Sequence, residues 1–139
     1  MRITLSDEAR QFMGQFDELV GVPPRDCLIE PDRVVFVIPA GRMGEAIGPD
    51  GNRVDRAEAA IGRRIKLVEY ADTPTAFVKS TLAPARVENV TISEQDGTVA
   101  FVEVCEADRA IAIGRDGQTI ETARMLVDRQ YGISDVQLV

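Results

Sequence analysis

Two six-residue segments, AIGPDG at 46–51 and AIGRDG at 112–117, limit how this chain can be built. Superposing Gly48 on Gly114 sets an offset of 114 − 48 = 66 residues. At that offset Ala46, Ile47, Gly48, Asp50, Gly51 and Ala57 all meet identical residues. A repeat of that period in 139 residues makes the chain two copies of one small unit.

The pattern around the repeated segment recurs in kind. Alternating apolar runs precede it, RVVFVIP at 33–39 and TVAFVEV at 98–104, and each reads as a strand. A further strand-like run lies before each, DCLIE at 26–30 and ARVENVTI at 85–92, joined through turn-forming PD (31–32) and EQDG (94–97). Short helical stretches over 41–47 and 107–113 lead into the glycines. Longer helices follow, marked by Val54, Ala57, Glu58 and Ile61 in one copy and by Ile120, Ala123, Arg124, Val127 and Tyr131 in the other. Gly62 and Gly132 stand where helix-ending glycines belong, and RIKLVEY (64–70) and SDVQLV (134–139) predict closing strands. The second copy needs about four extra residues at its helix end.

Each copy also opens on a helix. Ser6 can cap the first, whose apolar stripe is Ala9, Phe12, Met13, Phe16, Leu19 and Val20, although position 9 lacks the glutamate of a full capping box. Thr73 can cap the second, with Pro74 at its first turn and Pro84 at its exit. The order helix–strand–strand–helix–GxxG–helix–strand therefore occurs twice. The fold class is α+β, and the domains are 1–71 and 72–139.

A Gly-x-x-Gly between two helices lets the backbone approach something bulky, because neither glycine carries a side chain. The free N–H groups and positive dipole end of the following helix then point at the visitor. A phosphate suits such a place. With two of these turns in register, the chain resembles a pair of KH domains of the type II, prokaryotic arrangement, whose GxxG loop clamps four backbone nucleotides. GRMGEAIGPDGNRVDRAEAAIGRRIKLVEY (41–70) looks like the first KH domain of NusA transcription factors. FVKSTLAPARVENVTI (77–92) and AIAIGRDGQTIETARMLVDRQYGISDVQLV (110–139) look like the linker and second. The resemblance covers nearly the whole chain and is to the short archaeal form, without the S1 and polymerase-binding domains of the bacterial one. It implies that each domain is a three-stranded sheet with helices packed on one face.

The resemblance implies RNA-binding positions at Ile47, Gly48, Pro49, Asp50, Gly51, Asn52, Arg53 and Val54 in the first copy. In the second they are Ile113, Gly114, Arg115, Asp116, Gly117, Gln118 and Ile120. Family loops usually carry a base between the glycines. Here the first loop has none and the second has Arg115. Asp50 and Asp116 face a phosphate of like charge, and capping of the following helix is the expected reason for them. Arg42, Arg53 and Arg56 lie near the first loop, and Arg115 and Arg124 near the second. Each reads as a solvated surface residue except Arg115, which is expected to touch phosphate. Asn52 and Gln118 open the following helices and can bond a phosphate or base as readily as stay solvated. Ile47, Val54, Ile113 and Ile120 read more as core than as groove wall.

The remaining composition narrows the function. Net charge is −7, and all but two of the bases (Lys66 and Lys79) are arginine. This argues against a simple electrostatic nucleic-acid binder and fits a salt-loving host, since the Debye length falls to about 3 Å at 1 M. With five Phe, two Tyr and no Trp, base stacking is weak, and binding rests on backbone clamping and base-edge bonds. No histidine exists to complete a zinc site or a hydrolytic triad, and no P-loop occurs, so no enzyme, metal or cofactor is expected. Cys27 and Cys105 read as small buried apolar residues. No membrane span or signal sequence is evident, so a cytoplasmic protein is expected, for which a monomer suffices. The expected partners are single-stranded RNA, in transcription termination, antitermination or elongation, and RNA polymerase. The competing reading is a protein-interaction module on polymerase or ribosome whose RNA grooves are weak.

Overall fold

The computed structural model describes residues 3–139. They form two compact units, Thr4–Tyr70 and Ala71–Val139, with Ile3 grouped with the latter.

In the first unit, helix α1 (Asp7–Val20) begins where the Ser6 side chain accepts a hydrogen bond from the Ala9 amide at 3.1 Å. It ends at Gly21. Strands β1 (Asp26–Ile29) and β2 (Arg33–Ile38) pair antiparallel, with Cys27 opposite Phe36. The Glu30 amide closes their turn on the Arg33 carbonyl at 2.9 Å. Helices α2 (Met43–Ile47) and α3 (Asn52–Ile61) then carry the chain across to β3 (Arg64–Glu69), which runs parallel to β2. The sheet order is β1-β2-β3.

The second unit repeats this order. Helix α4 (Pro74–Leu82) is capped by Thr73, which accepts from the Ala76 amide at 3.2 Å, with Pro74 in its first turn. Strands β4 (Val87–Ser93) and β5 (Val99–Val104) are antiparallel, and β6 (Asp135–Leu138) lies parallel to β5. Helices α5 (Arg109–Ile113) and α6 (Gln118–Tyr131) form the crossover. Helix α6 has 14 residues against 10 in α3, and 14 − 10 = 4 is the length difference expected from the sequence. Both caps use a hydroxyl to satisfy a helix-start amide. Ser6→Ala and Thr73→Ala should therefore each cost about 1 kcal/mol in chemical denaturation.

Two details depart from the sequence reading. The stretch before the second loop is not one helix: Glu106–Asp108 form a single 3-10 turn before α5 begins. Asp108 fixes that turn. Its carboxylate accepts from the backbone N–H of Arg86 at 2.8 Å and from its Nε at 3.1 Å, and these bonds hold its pKa below the usual range. Cys105 is also only half-buried, with its sulfur 3.4 Å from Arg86 Nη2, while Cys27 is buried as expected.

In the first unit the helices pack on one face of the sheet. Alternate β2 positions Val34, Phe36 and Ile38 join Phe16 and Val20 of α1, Ala46 of α2 and Ala57 of α3 in one core. The rings of Phe16 and Phe36 lie 4.5 Å apart. In the second unit Phe77, Leu82, Val102, Leu126 and Val127 are fully buried. The repeated alanines now have a cause. Ala46 and Ala57, like Ala112 and Ala123, have no exposed surface. Larger side chains would have no space in these interiors, where even one added methylene is felt.

Candidate nucleic-acid interface

Between α2 and α3, and again between α5 and α6, the backbone makes the same turn to within a few degrees. Gly48 has φ 77° and ψ 172°, and Gly114 has 80° and 171°. Asp50 and Asp116 both have φ 54° and ψ 27°. Gly51 has 74° and 13°, and Gly117 has 75° and 11°. Each turn is closed by the second glycine's amide donating to the first glycine's carbonyl at 3.1 Å.

The two glycines of each loop serve different ends. A Cβ on Gly48 would lie 2.6 Å from Arg53 Cγ, and one on Gly114 would lie 2.6 Å from the Thr119 backbone nitrogen. The first glycine thus lets the loop sit against the start of the following helix. A Cβ on Gly51 would meet only Asp55, at 3.9 Å, and one on Gly117 would meet nothing within 4 Å. The second glycine faces open space, and the first turn of α3 or α6 begins directly after it. That side of each loop is therefore unobstructed next to a helix N-terminus.

The aspartates are not caps. The N-cap positions of α3 and α6 are Gly51 and Gly117, which have no side chain to bond the helix. Asp50 and Asp116 instead occupy the left-handed region, which Asp and Asn tolerate better than most residues. Among the described residues the only other non-glycine with positive φ is Asp96, in the β4–β5 hairpin. All three aspartates precede a glycine. The Asp-Gly pair supplies two successive left-handed residues, as it does in tight hairpins.

Most of the nearby arginines are engaged. Glu45 holds Arg42 through two bonds, Nε–Oε1 at 3.1 Å and Nη2–Oε2 at 2.8 Å, and this pairing lowers the Glu45 pKa. Arg53 turns back to donate to the Glu45 carbonyl at 2.9 Å. Arg124 bonds Glu121, Asp135 (2.9 Å) and the Val136 carbonyl (3.1 Å). Arg56 and Arg115 are exposed, and their side chains make no hydrogen bond or ion pair among the described residues. Glu45 was missed in the sequence reading, although its place three residues after Arg42 on a helix was the signal.

The four apolar flanks divide. Ile47 and Ile113, 36% and 39% exposed, stand at the helix ends beside the loops. They are surface residues, contrary to the core role expected of them. Val54 is half-buried, and Ile120, 6% exposed, belongs to the core. Asn52 is exposed, with its Oδ1 2.8 Å from where a Cβ on Gly48 would stand, and Gln118 is half-buried. Among the described residues no cluster of His, Cys, Asp and Glu could hold a metal, and no helix is long and apolar enough to cross a membrane.

The chain resembles known proteins in sequence and a solved structure in fold. Residues 10–77 match the KH domain family, and residues 74–137 match the NusA-like second KH domain. The chain is 51% identical over 138 residues to the probable transcription termination protein NusA of Halococcus morrhuae, covering 99% of each chain. It is equally similar, over the same share of each chain, to that of Halobacterium salinarum. The protein of the same name from Methanocaldococcus jannaschii is 27% identical across 99% of this chain and 76% of its own. The crystal structure of APE1850 matches with a TM-score of 0.85 and 25% identity, over 97% of this chain and 100% of that one. With two KH domains and full-length identity to these halophilic relatives, the chain belongs to the NusA family in its archaeal form.

Proposed function

We propose that this chain is a non-catalytic, single-stranded RNA-binding protein that acts in transcription termination, antitermination or elongation, with RNA polymerase as its protein partner. The observation that carries the reading is the paired loop geometry, in which both second glycines open to solvent at a helix start. The functional context comes from the relatives named as probable transcription termination proteins. Each loop seats a stretch of RNA backbone, and exposed Ile47 and Ile113 lie against the nucleotides beside it. Because the two units are covalently joined, filling one loop raises the effective RNA concentration at the other. The domain boundary at 71/72 belongs to the same reading.

Fluorescence anisotropy with labelled single-stranded RNA, over a KCl series reaching about 1 M, tests it. A Gly51→Asp, Gly117→Asp double variant is titrated beside the native chain. The left-handed backbone tolerates aspartate, and the new carboxylates fill the open sides of the loops. Affinity should fall about tenfold or more while the circular dichroism spectrum is kept. Equal affinity for both proteins would move any RNA site away from the loops. No binding by the native chain at any salt would leave the protein-interaction reading in its place.

A further inference from the structure

We infer that the two loops are unequal. The second loop, through Arg115, takes the RNA backbone first, and the first loop follows as the weaker partner. This rests on the RNA-binding reading above and adds which loop leads.

The molecule carries its own control. The loop backbones agree within a few degrees, both second glycines are open, and each loop carries an aspartate in the same conformation. Between the glycines one position differs: Pro49 in the first loop, Arg115 in the second. That one difference acts twice. Arg115 is exposed and unpaired, so its guanidinium can give a phosphate a charge-assisted, two-pronged hydrogen bond. Proline offers neither a charge nor a backbone N–H.

Nothing near the first loop makes up the loss. Arg42 is held by both oxygens of Glu45, and Arg53, in the first turn of α3, is tied to the Glu45 carbonyl. Arg56 is unpaired, but it stands five residues beyond Gly51, about 7.5 Å further along the helix axis. Around the second loop, Arg124 is likewise consumed by Glu121 and Asp135. Arg115 is therefore the one arginine within either Gly-x-x-Gly, and it is free to act.

The test is an amide NMR titration of the full chain with a mixed-sequence single-stranded RNA of about six nucleotides, enough for one four-nucleotide clamp. Gly48 and Gly51 report on the first loop, Gly114 and Gly117 on the second. The second pair should respond at RNA concentrations about tenfold lower than the first. Exchanging the residues, Pro49→Arg with Arg115→Pro, should reverse the order. The gentler Arg115→Gln keeps the N–H, removes the charge and should bring the two pairs closer together. The inequality is overturned if the pairs shift in parallel or if the first leads. Its assignment to Arg115 is overturned if the exchange leaves the order unchanged and Arg115→Gln leaves the gap unchanged. A different pattern, in which RNA shifts other amides and none of these four, would sink the loop-based reading and this inference with it.

Discussion

Gly114→Ala should destabilise the second unit by about 3 kcal/mol or more, well beyond the cost of the same change at Gly117. Two effects add. At φ 80° and ψ 171°, Gly114 occupies a region that is essentially glycine's own, and strain there costs about 1–3 kcal/mol. The new methyl would also lie 2.3 Å from Thr119 Oγ1 and 2.6 Å from the Thr119 backbone nitrogen. Overpacking of that kind adds about 1–3 kcal/mol. The hydroxyl can rotate away, but the backbone nitrogen moves only with helix α6. Gly48→Ala should cost less, because its nearest contacts are side-chain atoms of Arg53 and Asn52. Gly117→Ala meets open space and carries only left-handed strain, about 1–2 kcal/mol. Urea denaturation of the three variants should rank them Gly114, Gly48, Gly117 in falling cost. If Gly114→Ala cost no more than Gly117→Ala, the first glycine would not be the packing element that the Thr119 contact makes it.

That ranking separates what the repeat revealed from what it hid. The two-copy plan was legible because the helix–strand–strand–helix–helix–strand order left its hydrophobic periods and its caps, Ser6 and Thr73, in plain view. The extra turn of α6 showed up as four residues that the first copy lacks. The loop's backbone was harder to read. Asp50 and Asp116 look like caps when only their position before a helix is considered, yet the cap position falls one residue later, on glycine. The Asp-Gly pair in the hairpin at Asp96–Gly97 was the better guide, since it marks the same left-handed step. Arginine availability was only partly legible from proximity in sequence, through the i,i+3 pairs Arg42–Glu45 and Glu121–Arg124. Arg124 is taken by Asp135, a partner from β6, and only the fold brings those two together.

The aspartates lead to the second large effect. Asp50→Asn combined with Asp116→Asn should raise affinity for single-stranded RNA about tenfold at low salt. Asparagine takes the left-handed conformation as readily as aspartate, so the loop keeps its shape while two negative charges leave. Both carboxylates are exposed and unpartnered among the described residues, so nothing else is broken. A carboxylate about 6 Å from a phosphate repels it by about 0.7 kcal/mol in water, and two such pairs sum to about 1.4 kcal/mol, or about tenfold. Because the repulsion is coulombic, the gain should shrink to within about twofold near 1 M KCl, where screening acts over about 3 Å. Anisotropy titrations at both salts check this. A gain that survives high salt would assign the aspartates a steric or hydration effect. No gain at low salt would mean that the RNA backbone does not pass the carboxylates. Taken singly, Asp116→Asn should give the larger share if, as inferred above, the neighbouring Arg115 takes the phosphate first. A sequence 51% identical to proteins of Halococcus morrhuae and Halobacterium salinarum can hold such a residue: concentrated salt would screen the carboxylate's repulsion of a phosphate, while the left-handed Asp-Gly backbone shapes the loop at every salt concentration.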